Sequence, residues 1–146
     1  VVVNSSGDGL EFSAASGGSS LQARTAAAGT TTSIANNAAA LLDITGFKSY
    51  ALMSITTDRA ARVTIYANAA SRTADASRNE LTDPLPDAGI IAEVITSGAE
   101  TVLFSPATIG FNAESTPTTT IPTRVTNKSG STAAVAVSLS VLQLEA

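Results

Sequence analysis

Residues 47–70 read FKSYALMSITTDRAARVTIYANAA, two strand-like runs joined by a short polar turn at Thr57, Asp58 and Arg59. In the second run Ala61, Val63, Ile65, Ala67 and Ala69 alternate with Arg62, Thr64, Tyr66 and Asn68, the period-2 pattern of a strand with one face in a core and the other in water. The first run places Phe47, Ala51, Met53 and Ile55 on one face, while Tyr50 and Leu52 add apolar bulk to the other. That is how a strand covered on both faces reads.

Working outward, the C-terminal side supplies four more extended runs. Ile90–Thr96 (IIAEVIT) and Glu100–Ser105 (ETVLFS) flank Ser97-Gly98-Ala99, the composition of a hairpin turn. Thr118–Asn127 carries Pro122, which points to an edge strand or a bulge. Thr132–Glu145 follows the turn Lys128–Ser131, with Ala133, Val135, Val137, Leu139 and Val141 alternating with small residues. Between these lie two loops. Ser71–Gly89 has no periodicity, and Pro106–Pro117 has Ile109 and Phe111 as its expected anchors. On the N-terminal side, Thr30–Asn36 has strand composition, and Ala38–Ile44 follows it with Leu42 and Ile44 facing in.

About eight strands punctuated by short turns, with no competing amphipathic helix, predict an all-β fold: a single antiparallel β-sandwich of jelly-roll or Ig-like Greek-key topology. Residues 30–146 form that domain. Residues 1–29 are rich in Gly, Ser and Ala, with SSGDG at 5–9 and SGGSS at 16–20. Too poor in bulky apolar groups to bury a core, they are expected to form an extended N-terminal arm in which Leu10 and Phe12 are the contact residues.

Composition narrows the function. The 146 residues suit one domain, with 44% hydrophobic but only 4% aromatic residues, so the core is to be built from Val, Ile, Leu and Ala. Charged residues are 14%, against about 25% in an ordinary soluble domain; a Ser/Thr/Asn/Gly surface suits lateral contact with copies of the same chain. The formal net charge of −4 and the scattered Arg and Lys argue against nucleic-acid binding. No apolar run is long enough to span a membrane as a helix. The start at Val1 rather than Met implies that a preceding segment has been removed.

The sequence contains no His and no Cys. The common nucleophile–base triads and thiolate metal sites are therefore excluded, and neither lysine, Lys48 or Lys128, lies in a Ser-x-x-Lys motif. No catalytic residue and no cofactor is expected. Asp75, Glu80, Asp83 and Asp87 share one loop and are the candidate ligands should a Ca2+ ion bind, although their spacing is not that of an EF-hand. The plainer role for these acids is pairing with Arg72 and Arg78 to stiffen the loop. Asn127-Lys128-Ser129 also matches a glycosylation acceptor.

Four segments, YALMSITTDRAARVTIYANAASRTADASR (50–78), TDPLPDAGIIAEVIT (82–96), IGFNAESTP (109–117) and VTNKSGSTAAVAVSLSVLQLE (125–145), together resemble a mostly uncharacterised group of small structural proteins of tailed bacteriophages, especially those of marine and cyanobacterial hosts. The resemblance covers roughly residues 41–145. It implies a β-sandwich component of the virion, and it carries over no catalytic residue. The expected role is a non-enzymatic capsid decoration or cement protein, a homo-oligomer touching copies of itself and the shell. Arg62, Tyr66, Arg72 and Arg78 are its expected contact residues in the body. The alternatives are a tail or fibre module whose loops contact a host glycan, and a subunit of an extracellular filament.

Overall fold

The computed structural model describes residues 22–146, together with the backbone of two short strands that pair antiparallel, β1 (Val2–Val3) and β2 (Leu10–Glu11). Phe12 lies outside the described residues, and of Leu10 only the backbone pairing is described.

Eight strands and one helix make the body: β3 (Arg24–Thr30), β4 (Ala39–Thr45), β5 (Ser49–Thr57), β6 (Ala61–Tyr66), α1 (Ala69–Ala74), β7 (Ile90–Ile95), β8 (Glu100–Phe111), β9 (Thr120–Asn127) and β10 (Ala136–Glu145). They form two four-stranded sheets ordered β3-β10-β5-β8 and β4-β9-β6-β7. Followed inward from its two ends, the body is one antiparallel ribbon in which β3 pairs β10, β4 pairs β9, β5 pairs β8 and β6 pairs β7. Rolling that ribbon sets β10 beside β5 and β9 beside β6. This connectivity is the jelly roll, which decides between the two expected sandwich topologies.

Between the sheets sits a core of aliphatic side chains, among them Ile44, Leu52, Ile55, Val63, Ile65, Ile121, Val125, Val137, Leu139 and Val141, each no more than 1% exposed. Among the rings, Phe47 and Phe104 pack against this core half-buried and Tyr50 enters it. Tyr50 is buried and lies against Gly110, its cross-strand partner. A Cβ at Gly110 would stand 2.4 Å from the Tyr50 ring, so the strand approaches the ring as only glycine permits.

The alternation rule places the strands well and their partners less well. Residues 47–70 do supply β5 and β6, but the turn between them carries the chain from one sheet to the other. Asp58 holds that turn by accepting from Ala136 N at 2.9 Å. The expected hairpin at Ser97-Gly98-Ala99 is likewise a crossover, with β7 and β8 in different sheets. There the Thr96 hydroxyl, 2% exposed, bonds Thr57 Oγ1 at 2.8 Å and accepts from Ala61 N at 3.0 Å, so a buried polar residue fastens the two sheets where they meet.

Other boundaries shift for local reasons. The expected arm loses residues 24–29 to β3, whose Ala27 enters the core. Thr30–Asn36 is not a strand; beyond Thr30 it holds one isolated bridge, Ile34 to Ala133. The Pro106–Pro117 loop is partly β8, with Ile109 and Phe111 more than half exposed and so not anchors. In β8, residues 104–107 stand opposite the single residue Met53, a bulge that holds Pro106. Pro122 sits in a central strand, not at an edge. The β6 register on β9 stops at Thr123, so no ladder bond is asked of Pro122 on that side.

Candidate functional site

The outer faces of the two sheets differ in kind. On the β4-β9-β6-β7 sheet, Arg62 and Thr64 of β6 and Arg124 of β9 project outward beside Tyr66, the arrangement expected of a wet face. All four are instead buried, at 3%, 1%, 9% and 0% exposure. The cover comes from the 23-residue connection between β6 and β7, which begins with α1 rather than running as a loop throughout.

Helix α1 starts where the side chain of Asn68 accepts from Ser71 N at 2.7 Å, satisfying one of its free amides. One turn on, Arg72 reaches under the helix. Its Nη1 donates to Asp43 Oδ1 at 2.6 Å and to the Leu42 carbonyl at 3.1 Å, tying α1 to β4. Asp75 ends the helix. Its carboxylate accepts from Tyr66 Oη at 2.7 Å and from Arg78 Nε at 2.8 Å. Arg78 then bridges onward, its Nη2 bonding Glu93 of β7. Glu93 Oε2 also accepts from Arg62 Nη2 at 3.0 Å and from Thr64 Oγ1 at 2.9 Å. Arg62, Arg78, Asp75, Glu93, Thr64 and Tyr66 thus form a latch of two arginines, two carboxylates, a threonine and a phenol, and with the Arg72–Asp43 pair beside it the latch clamps the connection onto the sheet.

The chemistry of the latch follows from its pairing. Burial pushes both carboxylates up, but the bonds from Arg78 and Tyr66 to Asp75, and from Arg78, Arg62 and Thr64 to Glu93, outweigh it and hold both below the usual carboxylate range. Burial and the Asp75 carboxylate push the Tyr66 phenol up to about 12. At neutral pH Asp75 and Glu93 stay ionised and Tyr66 stays protonated, so none of the three exchanges a proton there.

Arg62, Tyr66, Arg72 and Arg78 were expected to present contact surface, and the structure corrects this: each is spent on interactions within the chain. Polar partners arriving from distant positions turn an apparently wet face into a buried one. The four loop acids do not converge either. Asp75 belongs to the latch, Glu80 pairs with Lys128 at 2.8 Å, and Asp83 and Asp87 are exposed. Among the described residues no group of three or more such side chains is placed to hold a metal ion. The expected Arg78–Asp75 pair is present, whereas Arg72 pairs with Asp43. Asn127, the glycosylation candidate, is fully buried and donates to Ile34 and Ser131 carbonyls at 2.8 and 2.7 Å.

Beside the latch an open cavity of about 560 Å3 is lined by Arg62, Arg78, Arg124 and Lys128, by Glu80, and by uncharged polar side chains including Asn37, Ser77, Asn79, Thr82 and Thr126. It was not legible from sequence, because its cations come from β6, β9, the turn after β9 and the β6–β7 connection.

Among the described residues, the outer face of the β3-β10-β5-β8 sheet has no such cover. Its central cross-strand rows read Ala28–Ser138–Thr56–Thr101 and Ala26–Ser140–Ser54–Leu103, uncharged and small up to Leu103, and the row beyond them is Arg24–Leu142–Ala51–Ile109. Along β8 this face ends in Leu103, Ile109 and Phe111, at 75%, 57% and 52% exposure. The two central rows carry no charge, and Arg24 stands at the margin. The chain matches no protein-family model and no curated protein.

Proposed function

We propose that the protein is a non-enzymatic structural subunit of a bacteriophage virion, a decoration or cement protein of the capsid that works through contacts with copies of itself and with the shell. One observation carries this reading: among the described residues nothing covers a sheet face whose central rows are Ala, Ser and Thr and whose border holds Leu103, Ile109 and Phe111, while the opposite sheet is sealed by the chain's own latch. Small uncharged side chains let two backbones approach closely with little desolvation of charge, and exposed apolar groups at the border supply the area that drives association. The jelly roll supports the reading by analogy, since capsid proteins use it, as do lectins and cupins. The resemblance to phage structural proteins points the same way.

The test is rebinding. Purified protein is mixed with particles of a phage that carries it, after the protein has been stripped from them, and bound protein is measured by co-sedimentation. Saturable rebinding at a fixed copy number is expected, with loss of rebinding on Ser140→Lys in the centre of the bare face. Rebinding of Ser140→Lys at the wild-type level contradicts the assignment of that face.

A further inference from the structure

The cavity beside the latch has an imbalance of charge that the latch does not resolve. Three guanidinium groups line it, and two of them share one acceptor, the Arg78 carbonyl, which takes bonds from Arg62 Nη1 at 3.4 Å and from Arg124 Nη1 at 3.2 Å. With Lys128 the local cations number four, and the carboxylates that face them, Asp75, Glu80 and Glu93, number three. Arg124 is the cation left over. It is 9% exposed, and among the described residues it bonds only that carbonyl and forms no ion pair with a carboxylate. Next to it, Arg62 Nε is buried without a hydrogen-bond partner. A buried cation is ordinarily paired, yet among the described residues no carboxylate pairs with Arg124, whose charge reaches Asp75 only at longer range.

We infer that this cavity binds one singly charged oxyanion, a carboxylate or a sulfate ester, carried on a hydroxylated small ligand of the acidic-saccharide class. The guanidinium fork of Arg124 matches the paired oxygens of such a group, and one surplus positive charge balances one negative charge. The remaining wall is dominated by hydroxyl and amide side chains, among them Asn79, Thr82 and Thr126, which pair with sugar hydroxyls as both donors and acceptors. The volume, about 560 Å3, lies in the range of small-ligand sites. This site lies on the sealed sheet and is independent of the assembly role proposed for the bare one.

The experiment is an NMR titration of the intact chain with glucuronate, glucose 6-sulfate and neutral glucose. The two anionic sugars are expected to shift the amides of residues 77–82 and 124–128 saturably and more weakly as salt is raised, while glucose leaves them in place. A shift by only one of the two anions identifies which oxyanion the site takes. Arg124→Gln, which removes the surplus charge, is expected to abolish binding. Asn79→Asp keeps the side-chain oxygen that accepts from Leu81 N at 2.9 Å and from the Thr82 hydroxyl at 3.0 Å, so it tests the site without relying on a latch residue; a like charge at the wall is expected to weaken binding about tenfold. Equal shifts with glucose, no shifts with either anion, or undiminished binding by Asn79→Asp overturns the inference.

Discussion

Tyr66 Oη donates to Asp75 Oδ2 at 2.7 Å, joining strand β6 to the end of the helix that lies over it. The phenol is fully buried and its partner is ionised, so this bond belongs to the stronger, charge-assisted kind. Tyr66→Phe keeps the ring and removes the bond. It is expected to lower stability by about 1.5–3 kcal/mol, read as a shift in the midpoint of urea unfolding. A loss well under about 0.5 kcal/mol would mean that Arg78 alone satisfies Asp75.

Tyr50 predicts the opposite sign for the same substitution. Its hydroxyl is buried with no hydrogen-bond partner among the described residues, a desolvation cost with no compensating bond. Tyr50→Phe is therefore expected to be neutral or stabilising, by up to about 1 kcal/mol, in the same unfolding assay. At the other side of that ring, Gly110→Ala places a methyl group inside it and is expected to cost about 1–3 kcal/mol. Combining Gly110→Ala with Tyr50→Leu is expected to recover part of that loss, because the clash is with the ring.

The latch sets two pH limits. Asp75 and Glu93 are held below their unfolded values of about 4, so their contribution is fully present above about pH 5 and is lost as pH falls through the folded values. Tyr66 is raised from about 10 when unfolded to about 12. Its contribution is present below about pH 10 and is lost as pH rises towards about 12. Thermal unfolding across pH is expected to show both limbs. Glu93→Gln should flatten the acid one and Tyr66→Phe the alkaline one, with the remaining alkaline slope due to Tyr50, whose phenol burial also pushes up.

The bare face gives a prediction that separates assembly from folding. Ser140 and Ser54 stand side by side in the middle of the face. A lysine at Ser140 extends into solvent, so stability is expected to stay within about 0.5 kcal/mol of wild type, while any self-association seen by sedimentation velocity is lost. Tyr66→Phe is expected to do the reverse, lowering stability and leaving association intact.

Particular residues show where the sequence was legible. The alternation Ala61, Val63, Ile65 located β6 and its core face, and Val137, Leu139, Val141 did the same for β10, because in a strand the side-chain period is fixed by the backbone. The other face of β6 was misjudged because alternation separates polar from apolar without saying which face meets water. Arg62, Thr64 and Tyr66 are polar and buried, and their partners Glu93 and Asp75 stand 31, 29 and 9 positions away. Pairing failed at Ser97-Gly98-Ala99 for a related reason. A turn's composition says that the chain reverses and is silent on whether it returns to the same sheet, which in a jelly roll is settled by the rolling of the whole ribbon. The acid-rich stretch 75–87 suggests ligands, yet the informative residues in and just before it are Arg78 and Arg72, whose side chains reach β7 and β4.

One sheet face is proposed to join this chain to its neighbours in a virion, and the other is closed by its own latch. A density map of the phage particle, at a resolution that traces the chain, tests it most directly. The β3-β10-β5-β8 face is predicted to pack against a second copy or the shell, with Thr101, Ser140 and Leu103 buried in the contact. A particle in which that face is open to solvent, or in which the chain is absent, contradicts it.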